Sequence, residues 1–273
     1  MKKYVMSTFT VDPFALVDEL TMNDLQLTEI ETDYKLELSL TKPEKIIKCF
    51  SEYFSFNPQS VPKIIHQIWI GPHTPPWKWI NSFKIDFKNQ FPDWEYRLWR
   101  EEDIAQLKML NQDLYQQENV FSGKTDILRY ELLYQFGGIY IDADSEWLNN
   151  KPLNELIHKT NTLGVFAGRE DEVMLAAGVI GASKKNPIIY LIIKILHLTF
   201  FKTRIEKNYP TWIALGPRFF SEVIKYFAIT KFPTHFFYPV SWLQNNLSID
   251  TSQFPESYMM QYGYTSNALH KFM

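Results

Sequence analysis

The chain has 273 residues, a formal net charge of −3 and a sequence pI near 6.1. This length can bury a sizeable core and fits one large domain, or one domain with an appendage. The chain has no excess of basic residues, so no nucleic-acid partner is expected. Cys49 is the single cysteine, which excludes an intrachain disulfide and a cysteine zinc site.

No targeting signal or membrane-spanning segment is expected from this sequence. The N-terminus has two lysines, but no apolar stretch follows that is long enough for a signal peptide. The most apolar run, 188–201, is too short for a spanning helix and contains Lys194 and His197. It predicts a buried helix that begins after Pro187, and we expect a location in the cytoplasm or at the cytoplasmic face of a membrane.

Residues 1–60 are predicted to form a helical or irregular extension ahead of a main domain at 61–273. Pro43 is suited to the first turn of a helix. The apolar stripe of that helix consists of Ile46, Ile47, Phe50, Tyr53 and Phe54. We expect the stripe to pack on the main domain, with peripheral contact to a membrane surface as the alternative.

The main domain alternates between strand and helix patterns. Strands are predicted at 63–70, 94–99, 139–142, 163–167 and 177–182. Helices are predicted at 75–89, 101–114 and 125–136. This alternation implies an α/β fold with a mostly parallel central sheet and flanking helices.

Two carboxylates follow the third of these strands. Gly137 and Gly138 end the helix before it, because glycine readily takes the left-handed conformation found at helix ends. Residues two apart in an extended chain point to the same side, so Tyr140, Asp142 and Asp144 are expected to share one face. Two facing acids repel each other unless a cation or proton lies between them, and carboxylate oxygens suit Mg²⁺ or Mn²⁺.

The alternatives to a metal site differ in strength. A D-x-D pattern alone is common, and the residues leave its role open. A calcium-binding EF-hand loop requires glycine at its sixth position, where this sequence has Trp147, and a P-loop requires glycine where it has Glu118. Asp126 and Arg129 lie three apart on the preceding helix and are neighbours on one face, which also fits a simple surface ion pair.

The run TDILRYELLYQFGGIYIDAD resembles the DXD-containing sugar transferases of glycosyltransferase family thirty-two. That family includes fungal mannosyltransferases and bacterial capsule and lipopolysaccharide enzymes. The run is more distantly similar to the glucosylating domains of large clostridial toxins. The resemblance extends upstream to VPKIIHQIWIG at 61–71, and more thinly downstream to Gly216-Pro217, Phe237-Tyr238-Pro239 and Ala268-Leu269-His270.

The resemblance implies a GT-A type, Rossmann-like fold and a metal-dependent transfer of a hexose from a nucleotide-diphosphate sugar, with retention of configuration. It implies Mn²⁺ or Mg²⁺ bound by Asp144 directly, by Asp142 through water, and by His270. The implied donor-binding residues are Trp69, Asp126, Arg129, Tyr140 and Asp142, with Trp69 stacking on the base. Asp142, Asp144 and Arg129 are the implied catalytic residues. The family usually continues to a serine–tryptophan pair, whereas this sequence ends at Met273.

The implied partners are a UDP- or GDP-sugar and a glycan, lipid-linked or protein acceptor. One alternative is a toxin-like enzyme that modifies a protein side chain. Another is a catalytically silent module that binds a sugar nucleotide, although such a module need not keep all four of Asp126, Arg129, Asp142 and Asp144. The segment 209–220, which includes Trp212, is a candidate wall of the acceptor cleft. The charged loop 168–172 fits either a solvated turn or a wall of the site.

Overall fold

The structure is a computed structural model that describes residues 12–30, 35–148, 150–241, 248–264 and 269. The strands are β1 (Leu25–Ile30), β2 (Lys35–Leu40), β3 (Ile64–Ile68), β4 (Glu95–Trp99), β5 (Gly138–Ile141), β6 (Ser145–Trp147), β7 (Val165–Arg169), β8 (Leu175–Ala182), β9 (Thr230–Phe232) and β10 (Met259–Gln261). The α-helices are α1 (Pro13–Asp18), α2 (Pro43–Phe56), α3 (Trp77–Asn81), α4 (Lys88–Gln90), α5 (Glu101–Ile104), α6 (Gln112–Gln117), α7 (Phe121–Phe136), α8 (Asn154–Lys159), α9 (Pro187–Phe200), α10 (Thr211–Ala214), α11 (Pro217–Ile224) and α12 (Thr234–Phe237). Wider π-helical turns at Ser82–Phe87 and Phe201–Glu206 continue α3 and α9.

A six-stranded sheet with the order β4-β3-β5-β8-β7-β9 forms the centre of the molecule. Strand β3 runs parallel to both β4 and β5, and β9 runs parallel to β7. Strand β8 is antiparallel to its two neighbours, β5 and β7. The predicted α/β fold with a mostly parallel sheet is confirmed, and β8 is the strand that reverses the direction.

Alternate residues of β5 face two different hydrophobic clusters. Ile139 and Ile141 pack in one cluster, with Phe83 and Phe87 of the helical segment after β3. Tyr140 faces the other cluster, which contains the buried residues of α7 and α9. This alternation places Tyr140 on the side predicted for the acids and leaves the isoleucines in the core, as the sequence indicated.

The two glycines before β5 lie outside the helix, as predicted. Gly137 has φ +67° and Gly138 has φ +100°, and residues that carry a side chain rarely adopt these backbone angles. A Cβ on Gly138 would lie 2.5 Å from the carbonyl oxygen of Ile64. The corner is also held by His66, whose Nε2 lies 2.8 Å from the Gly137 carbonyl, while burial lowers the pKa of His66 to about 4. A neutral imidazole that donates from Nε2 therefore fixes the start of β5.

The predicted helix 101–114 is wrong in its middle, since the chain forms two short helices, α5 and α6, with a break between them. The carboxylate of Glu131 accepts hydrogen bonds from the backbone N–H groups of Leu110 and Asn111. The Asn111 side chain donates to the Ile193 carbonyl of α9. These contacts with distant parts of the chain replace the backbone bonds that a continuous helix would make.

The first described residues pack on the main sheet domain through a hairpin and a helix. Strands β1 and β2 pair antiparallel, a hairpin that the sequence analysis did not predict. The hairpin contacts the residues that directly follow α11. Lys225 donates to the Leu38 carbonyl, and the Tyr226 hydroxyl accepts from Leu40 N–H. Helix α2 packs as predicted, with the Phe50 ring stacked on Phe227. Within the described ranges, no helix combines the length and the apolar character needed to cross a bilayer.

Candidate active site

Both acids of the DXD motif lie just beyond the carboxyl end of β5. Asp142 Oδ1 accepts a hydrogen bond of 2.6 Å from the Tyr140 hydroxyl, and Oδ2 accepts one of 2.6 Å from Gln261 Nε2. The same Gln261 nitrogen lies 3.4 Å from Asp144 Oδ1. The backbone N–H of Tyr264 donates to Asp144 Oδ2 at 2.7 Å. The two carboxylates therefore share one amide donor, as side chains on a common face can.

The electrostatics of Asp144 are those of a carboxylate that lacks a positive partner. Burial and the negative charge of Asp142 raise its pKa to about 6, although the Tyr264 and Gln261 donors act in the opposite direction. No lysine or arginine forms a salt bridge with Asp144 within the described ranges. A cation between the two acids would relieve this repulsion.

Asp126 and Arg129 of α7 lie next to the DXD acids, since Arg129 is close to both Asp126 and Asp142. Arg129 Nη2 lies 2.7 Å from Asp126 Oδ1 and 3.7 Å from Asp142 Oδ1. Its Nη1 donates to the Ala177 carbonyl of β8 at 2.7 Å. Asp126 and Arg129 are each only 6% exposed, so this is a buried ion pair and not the surface pair that spacing alone allowed.

The ionisation of this pair is set by opposing effects. Burial raises the pKa of Asp126 to about 7, while the Arg129 guanidinium lowers it and Asp142 raises it. Burial acts to lower the pKa of Arg129, but the neighbouring Tyr140, Asp126 and Asp142 raise it above its ordinary value. Arg129 therefore stays protonated and supplies a fixed positive charge beside Asp142.

The two aromatic residues assigned to donor binding occupy different environments. Tyr140 is 1% exposed, its hydroxyl donates to Asp142, and its ring lies 4.8 Å from the Arg129 guanidinium carbon. Tyr140 therefore contacts both Asp142 and Arg129 and holds the two charged groups in place. Trp69 is half-buried one residue past β3, and its indole N–H donates to the His73 carbonyl. The Trp69 ring meets Tyr264 edge-to-face at 5.2 Å, which joins it to the surroundings of Asp144.

Two contact residues of the acids were missed by the sequence analysis, and one assigned ligand lies outside the described residues. Gln261 and Tyr264 reach the acids because β10 pairs with β6, the strand that directly follows Asp144. No local motif marks them. His270 lies outside the described residues. Within the described ranges, no group of three or more His, Cys, Asp or Glu side chains could hold a metal ion.

The segment 209–220 reaches the site at Gly216. A Cβ on Gly216 would lie 3.2 Å from Asp126 Oδ2 and 3.0 Å from the Trp212 Cα. The Trp212 side chain is 48% exposed. Gly216 therefore lies between the Trp212 backbone and Asp126, and the role of this segment as a wall of an acceptor cleft stays a prediction.

The contacts of Trp69 lead to a prediction about the donor. If a base stacks on the indole, Trp69→Ala is expected to weaken sugar-nucleotide binding by about ten-fold, and Trp69→Phe by less, because an aromatic pair contributes ~0.5–1.5 kcal/mol beyond area burial. Calorimetric titration with Mn²⁺ present measures this. The control is Trp94→Phe, since Trp94 is fully buried and bonds Asn154. Unchanged affinity in both Trp69 variants, with lower thermal stability alone, would make Trp69 a core residue.

Comparison with known proteins supports the family resemblance. Residues 76–163 match the family described as "Glycosyltransferase sugar-binding region containing DXD motif". The matched segment includes Asp126, Arg129, Asp142 and Asp144. The predicted resemblance to DXD-containing glycosyltransferases is confirmed by this match and by the named relatives.

The relatives include fungal mannosyltransferases, as the resemblance implied. Inositol phosphoceramide mannosyltransferase 1 of Schizosaccharomyces pombe is 28% identical over 173 residues, 60% of this chain and 51% of the relative. Mannosyl phosphorylinositol ceramide synthase CSH1 of Saccharomyces cerevisiae is 28% identical over 182 residues, 64% of this chain and 45% of the relative. The chain thus spans about half the length of these curated relatives. Among solved structures, PaToxG Glycosyltransferase has a TM-score of 0.48 at 24% identity, covering 67% of this chain and 76% of that one.

Proposed function

We propose that this chain is a divalent-metal-dependent hexosyltransferase that uses a nucleotide-diphosphate sugar and acts on a glycan or lipid-linked acceptor, with retention of configuration. The observation that carries the proposal is the convergence of Asp142, Asp144, Asp126 and Arg129 at the end of β5. Asp144 has no salt-bridge partner among the described residues, and Asp142 shares Arg129 with Asp126. Ligands of open α/β sheets bind at the carboxyl ends of the strands, where this cluster lies.

The residues present fit a divalent ion. Asp142 and Asp144 offer hard oxygen ligands, and the raised pKa of Asp144 reflects its burial and its repulsion from Asp142, of which a cation would relieve the second. Asp144 would hold the ion directly, Asp142 would assist through water, and His270 is the third ligand that the family resemblance implies. When bound, the ion would stabilise the negative charge that develops on the leaving diphosphate.

The other residues bind and orient the donor in this proposal. The Arg129 guanidinium is fixed by Asp126 and the Ala177 carbonyl, so it presents charge without a reorganisation cost. Asp126 and Asp142 are acceptors for sugar hydroxyls, and Trp69 is the platform for the base. Tyr140 keeps Asp142 and Arg129 in place through its hydroxyl and its ring.

The names of the relatives favour mannose as the sugar and an inositol-containing lipid as one acceptor to test. Donor hydrolysis with UDP-glucose, UDP-galactose and GDP-mannose, each with Mn²⁺, Mg²⁺ or EDTA, is the direct experiment. We expect hydrolysis of one of these donors that depends on the divalent ion and stops in EDTA. Hydrolysis that is equally fast in EDTA would contradict the metal role, and no binding of any donor would contradict the proposed function.

A further inference from the structure

The Tyr238 hydroxyl is a buried polar group near the candidate site, and it has no role in the proposed function. Among the side-chain atoms of the described residues, this oxygen is shielded from solvent and has no hydrogen-bond partner. Asp142 is close, but Tyr140 and Gln261 already donate to its two oxygens. A buried hydroxyl without a partner costs free energy, so its retention at a binding site points to a partner that comes with a ligand.

The hydroxyl lies over Gly178, the residue of β8 that bonds Asp142. The Gly178 carbonyl accepts from Asp142 N–H at 2.8 Å. A Cβ on Gly178 would lie 2.8 Å from Asp142 Oδ2, 3.0 Å from the Tyr238 hydroxyl and 3.3 Å from Gln261 Nε2. A carboxylate oxygen, a phenol and an amide nitrogen therefore converge above a strand position that has no side chain.

Packing, and not a hydrogen bond, sets the direction of this hydroxyl. Tyr238 follows α12, and its backbone N–H donates to the Thr234 carbonyl at 2.8 Å. Its ring crosses β7 at Gly168, where a Cβ would lie 3.0 Å from Tyr238 Cε2. Glycine at both Gly168 and Gly178 thus makes room for the ring and lets its hydroxyl reach the neighbourhood of Asp142.

The chemistry of the phenol limits what it can bind. Burial raises the pKa of Tyr238 well above its ordinary value, so the group is a neutral donor and acceptor. A divalent ion prefers carboxylate oxygens, and a diphosphate prefers cationic or backbone N–H donors. A sugar hydroxyl is itself a neutral donor and acceptor, and it matches a site where a phenol, a carboxylate and an amide meet.

We propose that Tyr238 is a further donor-binding residue, whose hydroxyl hydrogen-bonds a hydroxyl of the transferred sugar next to Asp142. This inference rests on the proposed function, because it requires that a sugar nucleotide occupies the site. Tyr238 acts on the sugar and not on the nucleotide, and it therefore contributes to the choice between sugars.

The variant Tyr238→Phe tests the proposal because it removes only the oxygen. Binding of UDP, GDP, UDP-glucose and GDP-mannose, each with Mn²⁺, is measured by calorimetry on the wild type and the variant. We expect sugar-nucleotide affinity to fall by about five- to ten-fold, as for the loss of one neutral hydrogen bond, with nucleoside-diphosphate affinity unchanged. The thermal midpoint of the ligand-free variant is expected to rise by about 2 °C, since an unpartnered buried hydroxyl is removed.

The matched control is Tyr258→Phe, because the Tyr258 hydroxyl has a partner, Glu155 Oε2 at 2.5 Å. It should lower the thermal midpoint and leave both kinds of affinity unchanged. Equal weakening of nucleoside diphosphate and sugar nucleotide in Tyr238→Phe, or no weakening of either, would overturn the assignment of Tyr238 while the proposed function stands. A wild-type protein that binds neither kind of ligand would overturn both.

Discussion

Replacing Asp144 with asparagine is expected to lower divalent-dependent donor turnover by about 10³-fold or more, because the proposed function makes this carboxylate a ligand of the ion that would stabilise the leaving diphosphate. The fold should survive, since asparagine keeps the shape and its oxygen can still accept from the Tyr264 N–H. The change also removes a buried negative charge next to Asp142. The metal-free variant is therefore expected to unfold at the same urea concentration as the wild type, or at a higher one.

Rates of donor hydrolysis with Mn²⁺ and calorimetric titration with Mn²⁺ alone measure the effect of Asp144→Asn. Asp113→Asn is the control, because Asp113 is exposed on α6 and lies outside the site. Near-normal turnover and Mn²⁺ affinity in the Asp144 variant would show that this carboxylate is not the ligand.

Replacing Arg129 with methionine is expected to cost about 3–5 kcal/mol of unfolding free energy at pH 8, because it leaves the Asp126 carboxylate buried without its partner. The loss should be smaller at pH 5. Burial raises the folded-state pKa of Asp126 above its unfolded value, and removal of Arg129 raises it further. A carboxyl with a raised folded pKa contributes stability that is present below its unfolded pKa and is lost as pH rises through the folded pKa. At pH 5 the buried carboxyl is protonated and needs no partner.

Urea unfolding of the wild type and the Arg129 variant at pH 5 and pH 8 tests this dependence. The double variant Asp126→Asn/Arg129→Met should recover much of the stability at pH 8, since the Asp126 charge is removed together with its partner, while donor turnover stays low. A stability loss of equal size at both pH values, without recovery in the double variant, would mean that Arg129 acts through packing alone.

The local order around the acids was predictable because neighbouring residues determine it. Helix α7, the two glycines and β5 follow from helical spacing, backbone freedom and a β-branched run. The alternation of Ile139, Tyr140, Ile141 and Asp142 between two faces follows from strand geometry. The proximity of Asp126 and Arg129 follows from one turn of helix, but their burial does not, because it depends on β8 and the segment that includes Gly216.

Contacts between distant parts of the chain could not be predicted in the same way. The break between α5 and α6 depends on Glu131 and α9, which no local pattern in 101–114 reveals. Gln261 lies 117 residues after Asp144, and its role is visible only once β10 is paired with β6. The sequence marks Tyr238 only through the segment Phe237-Tyr238-Pro239, which is a weak part of the family resemblance. The order of strands and helices along the chain also does not predict that β8 runs antiparallel to its neighbours.

The small ribbon of β6 and β10 has a consequence for the order in which the molecule folds. It pairs only three residues on each strand, yet it supplies the Gln261 and Tyr264 contacts to the acids across separations of up to 120 residues. Contacts that close such long loops are entropically costly and are rewarded only after the intervening chain is ordered. An intermediate that has formed α7, the glycine corner and β5 would therefore present its two carboxylates without these donors. We therefore expect the acids to acquire the Gln261 and Tyr264 donors only after the intervening chain is ordered.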